Sequence, residues 1–177
     1  MVVDSVEEEL QKRLVLEPIG WVRNSITTSQ DVIWEEIESQ VVIVERFSEA
    51  LEGIEEFSHI IVVFWLHRKK EEPSPLKIRP EMREDMPLVG VLATRAPVRP
   101  NPIGLTVVEL LERQGNSLRV RGLDAYDGTP VLDIKPYLPR GDLVEKARVA
   151  PWVKRLMGEP LKRVIYEGVP PSSEPPS

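Results

Sequence analysis

The sequence lacks cysteine altogether and contains only two histidines among its 177 residues. Without cysteine the chain can form no disulfide, no thiolate metal site and no thiol nucleophile. A zinc site built on His59 and His67 would have to rely on carboxylates as further ligands. We therefore expect no bound metal.

Long apolar runs are absent too, since none approaches the roughly 20 residues that a membrane-spanning helix needs. The acidic start of the chain, MVVDSVEEEL, also lacks the basic and then apolar pattern of a secretory signal. These absences predict a cytoplasmic protein that has no membrane partner.

The chain shows neither βαβ alternation nor a glycine-rich turn from a strand into a helix, which disfavours a Rossmann nucleotide fold. Its apolar runs are short, rich in β-branched residues and separated by turn signals, as is typical of strands. Eight such runs occur, at residues 16–24, 40–47, 58–67, 88–94, 104–113, 117–123, 130–137 and 162–168. They predict a mainly β fold, a small closed or nearly closed barrel of about six to eight strands with one or two short helices.

Turn and helix signals refine this prediction. RQGNS joins two strand runs, and YDGTP carries the Asp-Gly pair that hairpins favour, so both predict antiparallel pairing. A short helix is predicted from Ser48, which suits an N-cap, and a second from Val144 to Met157, interrupted by Pro151.

We expect one barrel domain with appendages: the barrel at residues 14–140, a C-terminal helix and strand extension at 141–168, and flexible termini at 1–13 and 169–177. Within the barrel domain, residues 68–87 are charged and contain prolines, which predicts an exposed excursion or a mobile flap.

The net charge of −6 is unevenly distributed. Residues 1–60 hold 14 acidic and 4 basic side chains, so the remaining 117 residues carry a net charge of +4. An acidic surface commonly serves solubility. The basic side chains of the second part could still form a patch that meets a nucleic acid: Arg68, Lys69, Lys70, Arg95 and Arg99.

Three stretches carry candidate site residues. In SHIIVVFWLHRKK a large apolar run ends in His67 and Arg68, and polar groups at a strand end can point into a pocket. His59, which lies at the start of the run, is expected to be a core histidine.

The second stretch, ATRAPVRPNPIGLT, must be a loop of nearly fixed shape, because its three prolines exclude a helix and a central strand. Guanidinium groups such as Arg95 and Arg99 bind carboxylate or phosphate, and Asn101 offers both a donor and an acceptor. Gly104 would let the backbone approach a neighbour or a ligand closely. A rigid turn that happens to carry charge is the alternative.

The third stretch, GLDAYDGTPVLDIKPY, crowds carboxylates and phenols around a tight turn: Asp124, Tyr126, Asp127, Asp133 and Tyr137. Strand alternation places Asp133 and Lys135 on the face opposite Leu132 and Ile134, which also fits a surface strand with a weak ion pair. The carboxylates alone would fit a glycosidase as well. The residues by themselves therefore predict a β barrel with a polar site made by three loops, and they leave the reaction type open.

The same three stretches resemble the signature of the TsaA-like, or TrmO, family. GVLATRAPVRPNPIGLT is similar to its G-V-F-A-T-R-S-P-x-R-P-N-P-I-G-x-S block, and DGTPVLDIKPYLP to its D-G-T-P-V-x-D-I-K-P-Y-x-P block. LEGIEEFSHIIVVFWLHR and the opening Ile19–Arg23 segment add to a resemblance that spans about residues 14–140.

The resemblance implies a homodimeric β-barrel enzyme that uses S-adenosylmethionine to methylate N6 of threonylcarbamoyladenosine at position 37 of tRNA. The implied cofactor contacts are His67, Arg68, Arg95, Leu105 and the segment Arg121, Gly122, Leu123 and Asp124. One segment departs from the family pattern, because residues 27–31 read TTSQD where members carry Pro-Arg-Gln.

Catalytic and substrate roles follow from the chemistry that the resemblance implies. Asp124 or Asp133 could accept the proton of N6, and Arg95 or Lys135 could neutralise the anion that develops. Arg99, Asn101 and Tyr137 are expected to bind the substrate. The alternatives are a methyltransferase of the same fold acting on another RNA or on a small carboxylated molecule, and a non-catalytic barrel that binds adenosylmethionine or RNA.

Overall fold

A computed structural model of the chain describes residues 14–28, 32–68 and 74–158. Its strands are β1 (Gly20–Arg23), β2 (Glu38–Ile43), β3 (His59–Trp65), β4 (Lys77–Ile78), β5 (Val89–Gly90), β6 (Ile103–Gln114), β7 (Ser117–Arg121) and β8 (Pro130–Pro136). Six of them form a closed antiparallel barrel in the order β1, β2, β7, β6, β3, β8. The predicted mainly β barrel is therefore confirmed.

Alternation of side chains along the strands builds the core of the barrel. On β3, Ile60, Val62 and Phe64 point inward and are buried, whereas the residues between them face outward. Every other barrel strand contributes buried side chains to the same cluster. The β-branched residues that favour extended backbone thus also fill the barrel.

A close approach of two strands explains Gly104. It pairs with Phe64 across β6 and β3, and a Cβ atom at Gly104 would overlap the Phe64 ring. The neighbour that the sequence predicted for this glycine is therefore a core side chain.

The two turn signals have different outcomes. RQGNS forms a tight hairpin between β6 and β7, with Gly115 at φ 59°. YDGTP also forms a turn, in which the Thr129 amide donates to the Tyr126 carbonyl at 3.2 Å. However, β8 pairs with β1 and β3 and not with the preceding strand, so the predicted hairpin at YDGTP is wrong.

Residues 88–94 do not form a barrel strand as predicted. Only Val89–Gly90 is extended, and it pairs with β4 in a separate two-stranded sheet. The chain then turns through a 3-10 helix at Val91–Ala93 that buries Val91. Residues 74–90 thus form an excursion outside the barrel, while residues 69–73 and the predicted strand at 162–168 lie outside the described residues.

Both predicted helices need correction. The first is a pair of 3-10 helices, Glu45–Leu51 and Ile54–Glu56, and Ser48 lies inside the first of them rather than at its N-cap. Toward the C-terminus the structure has α1 (Pro139–Asp142) and α2 (Pro151–Gly158). Pro151 begins α2 instead of interrupting a longer helix, because proline suits the first helical position, where its missing N–H is not needed.

Among the residues that the structure describes, no helix combines the length and the apolar character that crossing a membrane requires. No group of three or more histidine and carboxylate side chains is placed to hold a metal ion in that part of the chain.

Candidate functional site

Four connecting segments meet at one end of the barrel. Residues 24–28 follow β1, and residues 32–37 precede β2. Residues 66–68 follow β3, and residues 122–129 link β7 to β8. Antiparallel pairing brings them together, and His67, Arg68 and Asp124 all lie on them. We call this the loop end of the barrel.

His67 is held close to the start of β8. Its Nδ1 atom lies 3.3 Å from the hydroxyl of the buried Thr129. Part of the ring is open to solvent, but its partial burial lowers the pKa of His67, and the positive charge of Arg68 lowers it further. The imidazole is therefore biased toward its neutral form, which can accept a hydrogen bond from a ligand.

Arg68 is fixed by an aromatic cluster at the loop end. Its guanidinium donates to the Thr27 carbonyl and lies over the Tyr126 ring, 4.4 Å from the ring centroid. Trp34 meets Tyr126 edge to face, with ring centroids 5.8 Å apart. The cation–π contact and the aromatic pair hold a positive charge beside flat apolar surfaces.

Asp124 stands between two buried residues, Leu123 and Ala125, in a tight turn where the Ala125 amide donates to the Leu123 carbonyl at 2.9 Å. Its carboxyl is reached by solvent, yet the protein around it desolvates the charged form. This burial raises the pKa of Asp124, and the negative charge of Glu35 raises it further. A carboxylate whose pKa is raised by burial in a loop is a candidate functional group.

Asn24 ties the loops of this end to one another. Its side-chain nitrogen donates to the buried Ser39 hydroxyl at 2.9 Å and to the Ala125 carbonyl at 3.0 Å. Its backbone amide donates to the Asp127 carboxylate at 3.1 Å. The position of the loop that carries Asp124 therefore depends on a residue about a hundred positions earlier in the chain.

The proline-rich stretch joins the same end of the barrel. The Leu66 amide donates to the Pro102 carbonyl at 2.7 Å, which fixes the stretch beside His67. The Arg99 guanidinium donates to the Thr94 and Ala96 carbonyls at 3.2 and 3.4 Å, so it stabilises the shape of the loop from within. Arg95 and Asn101 are exposed.

The segment at residues 121–123 meets the loop end mainly through its backbone. The Arg121 guanidinium pairs with Glu38 and Glu109, both at 2.9 Å, on the outer surface of the barrel. Gly122 has φ 89° and donates its amide to the Ile37 carbonyl. Because the Leu123 side chain belongs to the core, a ligand could contact this residue only through its backbone.

The structure does not bring Tyr137 to the loop end. Tyr137 packs edge to face on His59, with ring centroids 6.4 Å apart, at the opposite end of β3 from His67. His59 is exposed there, so the expectation of a core histidine is wrong.

Asp133 and Lys135 lie between the two ends, on the outer surface of β8, where they pair at 2.7 Å. Leu132 is the extra residue of a bulge, which keeps both charged side chains facing outward.

Leu105 lies on an exposed apolar surface of two neighbouring strands. Across β3 and β6 the register pairs Trp65 with Ile103 and Val63 with Leu105. The exposed apolar side chains of this β3–β6 face are Trp65 (36%), Ile103 (38%), Val107 (43%) and Leu105 (53%). The face begins at the strand ends that lead to His67.

Sequence reasoning missed the supporting residues Asn24, Trp34 and Thr129, and it noticed Tyr126 without giving it a contact. Their partners lie far away in the chain, as the contact between Thr129 and His67 shows. The one local signal was the position of Asn24 at the end of the first strand run, where a polar residue can bridge loops.

These features define the class of the protein as a small closed β barrel with a polar candidate site at one end. The loops there carry a carboxylate, arginines, a histidine whose pKa is lowered, and aromatic rings, a set that suits a planar ligand carrying polar groups.

The chain belongs to the TrmO family. The sequence profile described as "tRNA-methyltransferase O N-terminal domain" matches residues 21–143. The family predicted from the motifs is therefore confirmed.

Relatives with curated names agree with this membership. A probable S-adenosyl-L-methionine-binding protein of Pyrococcus abyssi is 46% identical over 143 residues, which cover 78% of this chain and 75% of that protein. A tRNA (adenine(37)-N6)-methyltransferase of mouse is 44% identical over 89 residues, 50% of this chain and 20% of the mouse protein. The crystal structure of TrmO from Pseudomonas aeruginosa matches with a TM-score of 0.63 at 34% identity. That match covers 80% of this chain but 62% of the crystallised one, so this chain spans less than two thirds of its structural relative.

Proposed function

We propose that this protein is an S-adenosylmethionine-dependent tRNA methyltransferase that methylates N6 of threonylcarbamoyladenosine at position 37. The observation that carries the proposal is the meeting of His67, Arg68 and Asp124 at the loop end. These are three of the residues that the family resemblance assigns to the cofactor. Family membership and the names of the relatives support the reaction class and the cofactor.

The chemistry of the loop end fits S-adenosylmethionine. Asp124 can accept hydrogen bonds from ribose hydroxyls or an ammonium group, and Arg68 or Arg95 can pair with a carboxylate. Trp34 and Tyr126 offer aromatic surface for an adenine ring. When bound, the cofactor supplies a methyl group on a positively charged sulfur.

The protein must remove a proton and stabilise charge on the substrate. The acylated N6 nitrogen shares its lone pair with a carbonyl, so it has to lose its proton as it becomes a nucleophile. Asp124 is better placed to accept that proton than Asp133, because burial raises its pKa and its loop lies at the same end of the barrel as His67 and Arg68, whereas Asp133 pairs with Lys135 on the outer surface. Arg95, exposed on the rigid loop, can neutralise the developing anion or bind the threonyl carboxylate.

A homodimer, which the family resemblance implies, would form through the β3–β6 face. Contiguous exposed apolar surface of this kind is typical of protein interfaces. Leu105 lies on this face, so a cofactor contact at Leu105 would be made beside or across the interface. A tRNA substrate would place the enzyme in the cytoplasm.

The test is to mix the purified protein with labelled S-adenosylmethionine and tRNA bearing threonylcarbamoyladenosine, digest the RNA and identify the labelled nucleoside. We expect one methyl group on threonylcarbamoyladenosine. Asp124→Asn keeps an oxygen that can accept hydrogen bonds from the cofactor, so it should lose turnover and keep cofactor binding, while the matched variant Asp133→Asn should keep both. Cofactor binding without transfer to tRNA would contradict the substrate, and loss of cofactor binding in Asp124→Asn would reject its role as the base.

A further inference from the structure

A cleft lies outside the barrel, between residues 79–87 of the excursion and α2. Its volume is about 560 Å³ and it is open to solvent. That volume falls in the range of small-molecule pockets. None of the site residues derived above lines it.

Two arginines line the cleft from opposite walls. The Arg155 guanidinium of α2 contacts the Met86 sulfur at 4.0 Å, a weak acceptor, and forms no salt bridge with any residue that the structure describes. The Arg79 guanidinium donates through one nitrogen to the Met86 carbonyl at 2.5 Å, which leaves further donors on the same group. Both can therefore accept an anion at little structural cost.

One of the two carboxylates in the lining of the cleft already has a partner. Asp85 is held by the Arg83 guanidinium in a two-pronged pair, with distances of 3.0 and 2.7 Å, which lowers the pKa of Asp85 and neutralises it locally. Glu84 is the other carboxylate in the lining. The lining therefore holds two arginines, Arg79 and Arg155, against Glu84 and the already paired Asp85, so the arginines keep donors for an anion although the lining carries no net charge.

Trp152 supplies an aromatic surface between these charges. It is half-buried on the first turn of α2. Indole beside guanidinium groups is the combination with which proteins bind single-stranded nucleic acid, because the ring stacks on a base while the cations pair with phosphate.

The excursion that forms one wall of the cleft is fastened to the proline-rich loop. The Val91 amide donates to the Leu76 carbonyl at 3.0 Å, and the Ser74 hydroxyl donates to the Arg99 carbonyl at 3.1 Å. An RNA strand at the loop end could follow this loop toward the cleft.

We propose that the cleft binds one unpaired nucleotide of the RNA substrate, with its base on Trp152 and its phosphate on Arg155 and Arg79. The proposal rests on the proposed function, since it takes RNA to be the substrate. It adds a second contact to RNA, outside the loop end.

The test measures binding of a fluorescently labelled, unmodified anticodon stem-loop RNA to the full chain at several salt concentrations. Trp152→Ala should weaken binding about 5- to 100-fold, the range for loss of one stacked base, and Trp152→Phe should retain most of the affinity. Arg155→Ala should weaken binding and reduce the slope of log K against log salt by about 0.7 to 0.9, the value for one lost phosphate contact. The matched control is Lys154→Ala, a neighbouring exposed cation that does not line the cleft.

Different results separate this proposal from the proposed function. If Trp152→Ala and Arg155→Ala bind RNA as tightly as Lys154→Ala, the cleft proposal is overturned, whatever the methylation assay shows. If both weaken RNA binding while adenosylmethionine binding is unchanged, the cleft proposal stands even when no methyl transfer to tRNA is found. Free adenosine monophosphate that fills the cleft without competition from RNA would indicate a small-molecule site and reject the RNA ligand.

Discussion

Asp124 shows how one residue at the loop end acquires its chemistry from its surroundings. Its folded pKa is raised above the ordinary value. At pH values between the ordinary and the raised pKa, Asp124 therefore keeps its proton in the folded protein but has lost it in the unfolded chain. The contribution of Asp124 to stability consequently falls as pH rises through this window. Because the surroundings disfavour the charged form of this carboxylate, its ionisation lowers the stability of the fold and the carboxylate is also a stronger base.

The charge of Glu35 allows this basicity to be tested. If Asp124 is the general base, kcat/KM should rise with pH as Asp124 ionises, because the base must be unprotonated. Glu35→Gln removes the negative charge that helps raise the pKa of Asp124, so the acidic limb of the profile should move to lower pH. Glu36→Gln, on the same 3-10 helix, is the control and should leave the limb in place. If the acidic limb of the kcat/KM profile does not move in Glu35→Gln, a group other than Asp124 controls this pH dependence.

Asn24 offers a prediction about positioning. Asn24→Ala would remove the donor to the Ser39 hydroxyl and the Ala125 carbonyl. Leaving buried polar groups unpaired typically costs about 1–3 kcal/mol, so we expect the free energy of unfolding to fall by roughly that amount. Hydrogen exchange should accelerate in residues 122–129 more than in β6. Equal protection of that loop in the variant and the parent would contradict a positioning role.

The sequence could predict some site residues and not others. His67, Arg68 and Asp124 lie in ordered motifs, so the family resemblance located them, and the structure brings them together. Trp34 and Thr129 acquire meaning only through partners far away in the chain, because barrel closure decides which loops meet. Asp133 and Tyr137 lie in the same motif as the turn, but a strand spreads its residues along about 3.3 Å per position, so the motif ends far from where it begins.

At the scale of the elements, strands were easier to predict than short helices. β3 and β7 alternate between buried and outward side chains, which is a direct signal. Residues 88–94 have the same apolar composition, yet Val91 is buried in the 3-10 helix that follows the excursion. The acidic segment from Ser48 resembles the start of an α-helix, but the chain forms 3-10 turns that bury Leu51 against the barrel. Tertiary packing overrides local preference in both cases.

The contact between β3 and β6 gives a prediction for stability. Gly104→Ala would press a methyl group into the buried Phe64 ring, and overpacking of this kind costs about 1–3 kcal/mol. Gly90→Ala is the matched control, because its φ is −60° and no atom lies within 4 Å of the added Cβ. Denaturant unfolding should show a lower midpoint for Gly104→Ala and an unchanged or slightly higher midpoint for Gly90→Ala.

At the scale of the whole molecule, the β3–β6 face predicts the oligomeric state. Val107→Glu would place a charge on this face without touching the core, because Val107 points outward. We expect light scattering to show a dimer for the parent protein and a folded monomer for the variant. Gln40→Glu changes an exposed outward position on β2 and should stay dimeric. A parent protein that is monomeric at high concentration would remove the basis for this interface.

The pairing of β1 with β8 has a consequence for how the chain is made. Gly20 pairs with Val131, so the first barrel strand finds its last neighbour only after most of the domain has left the ribosome. Until then β1 and β2 can pair with each other, but the barrel stays open and its apolar interior is accessible. Contacts between residues so distant in sequence also form slowly. We therefore expect nascent chains that stop before residue 130 to depend on chaperones, and this dependence to end once β8 has been synthesised.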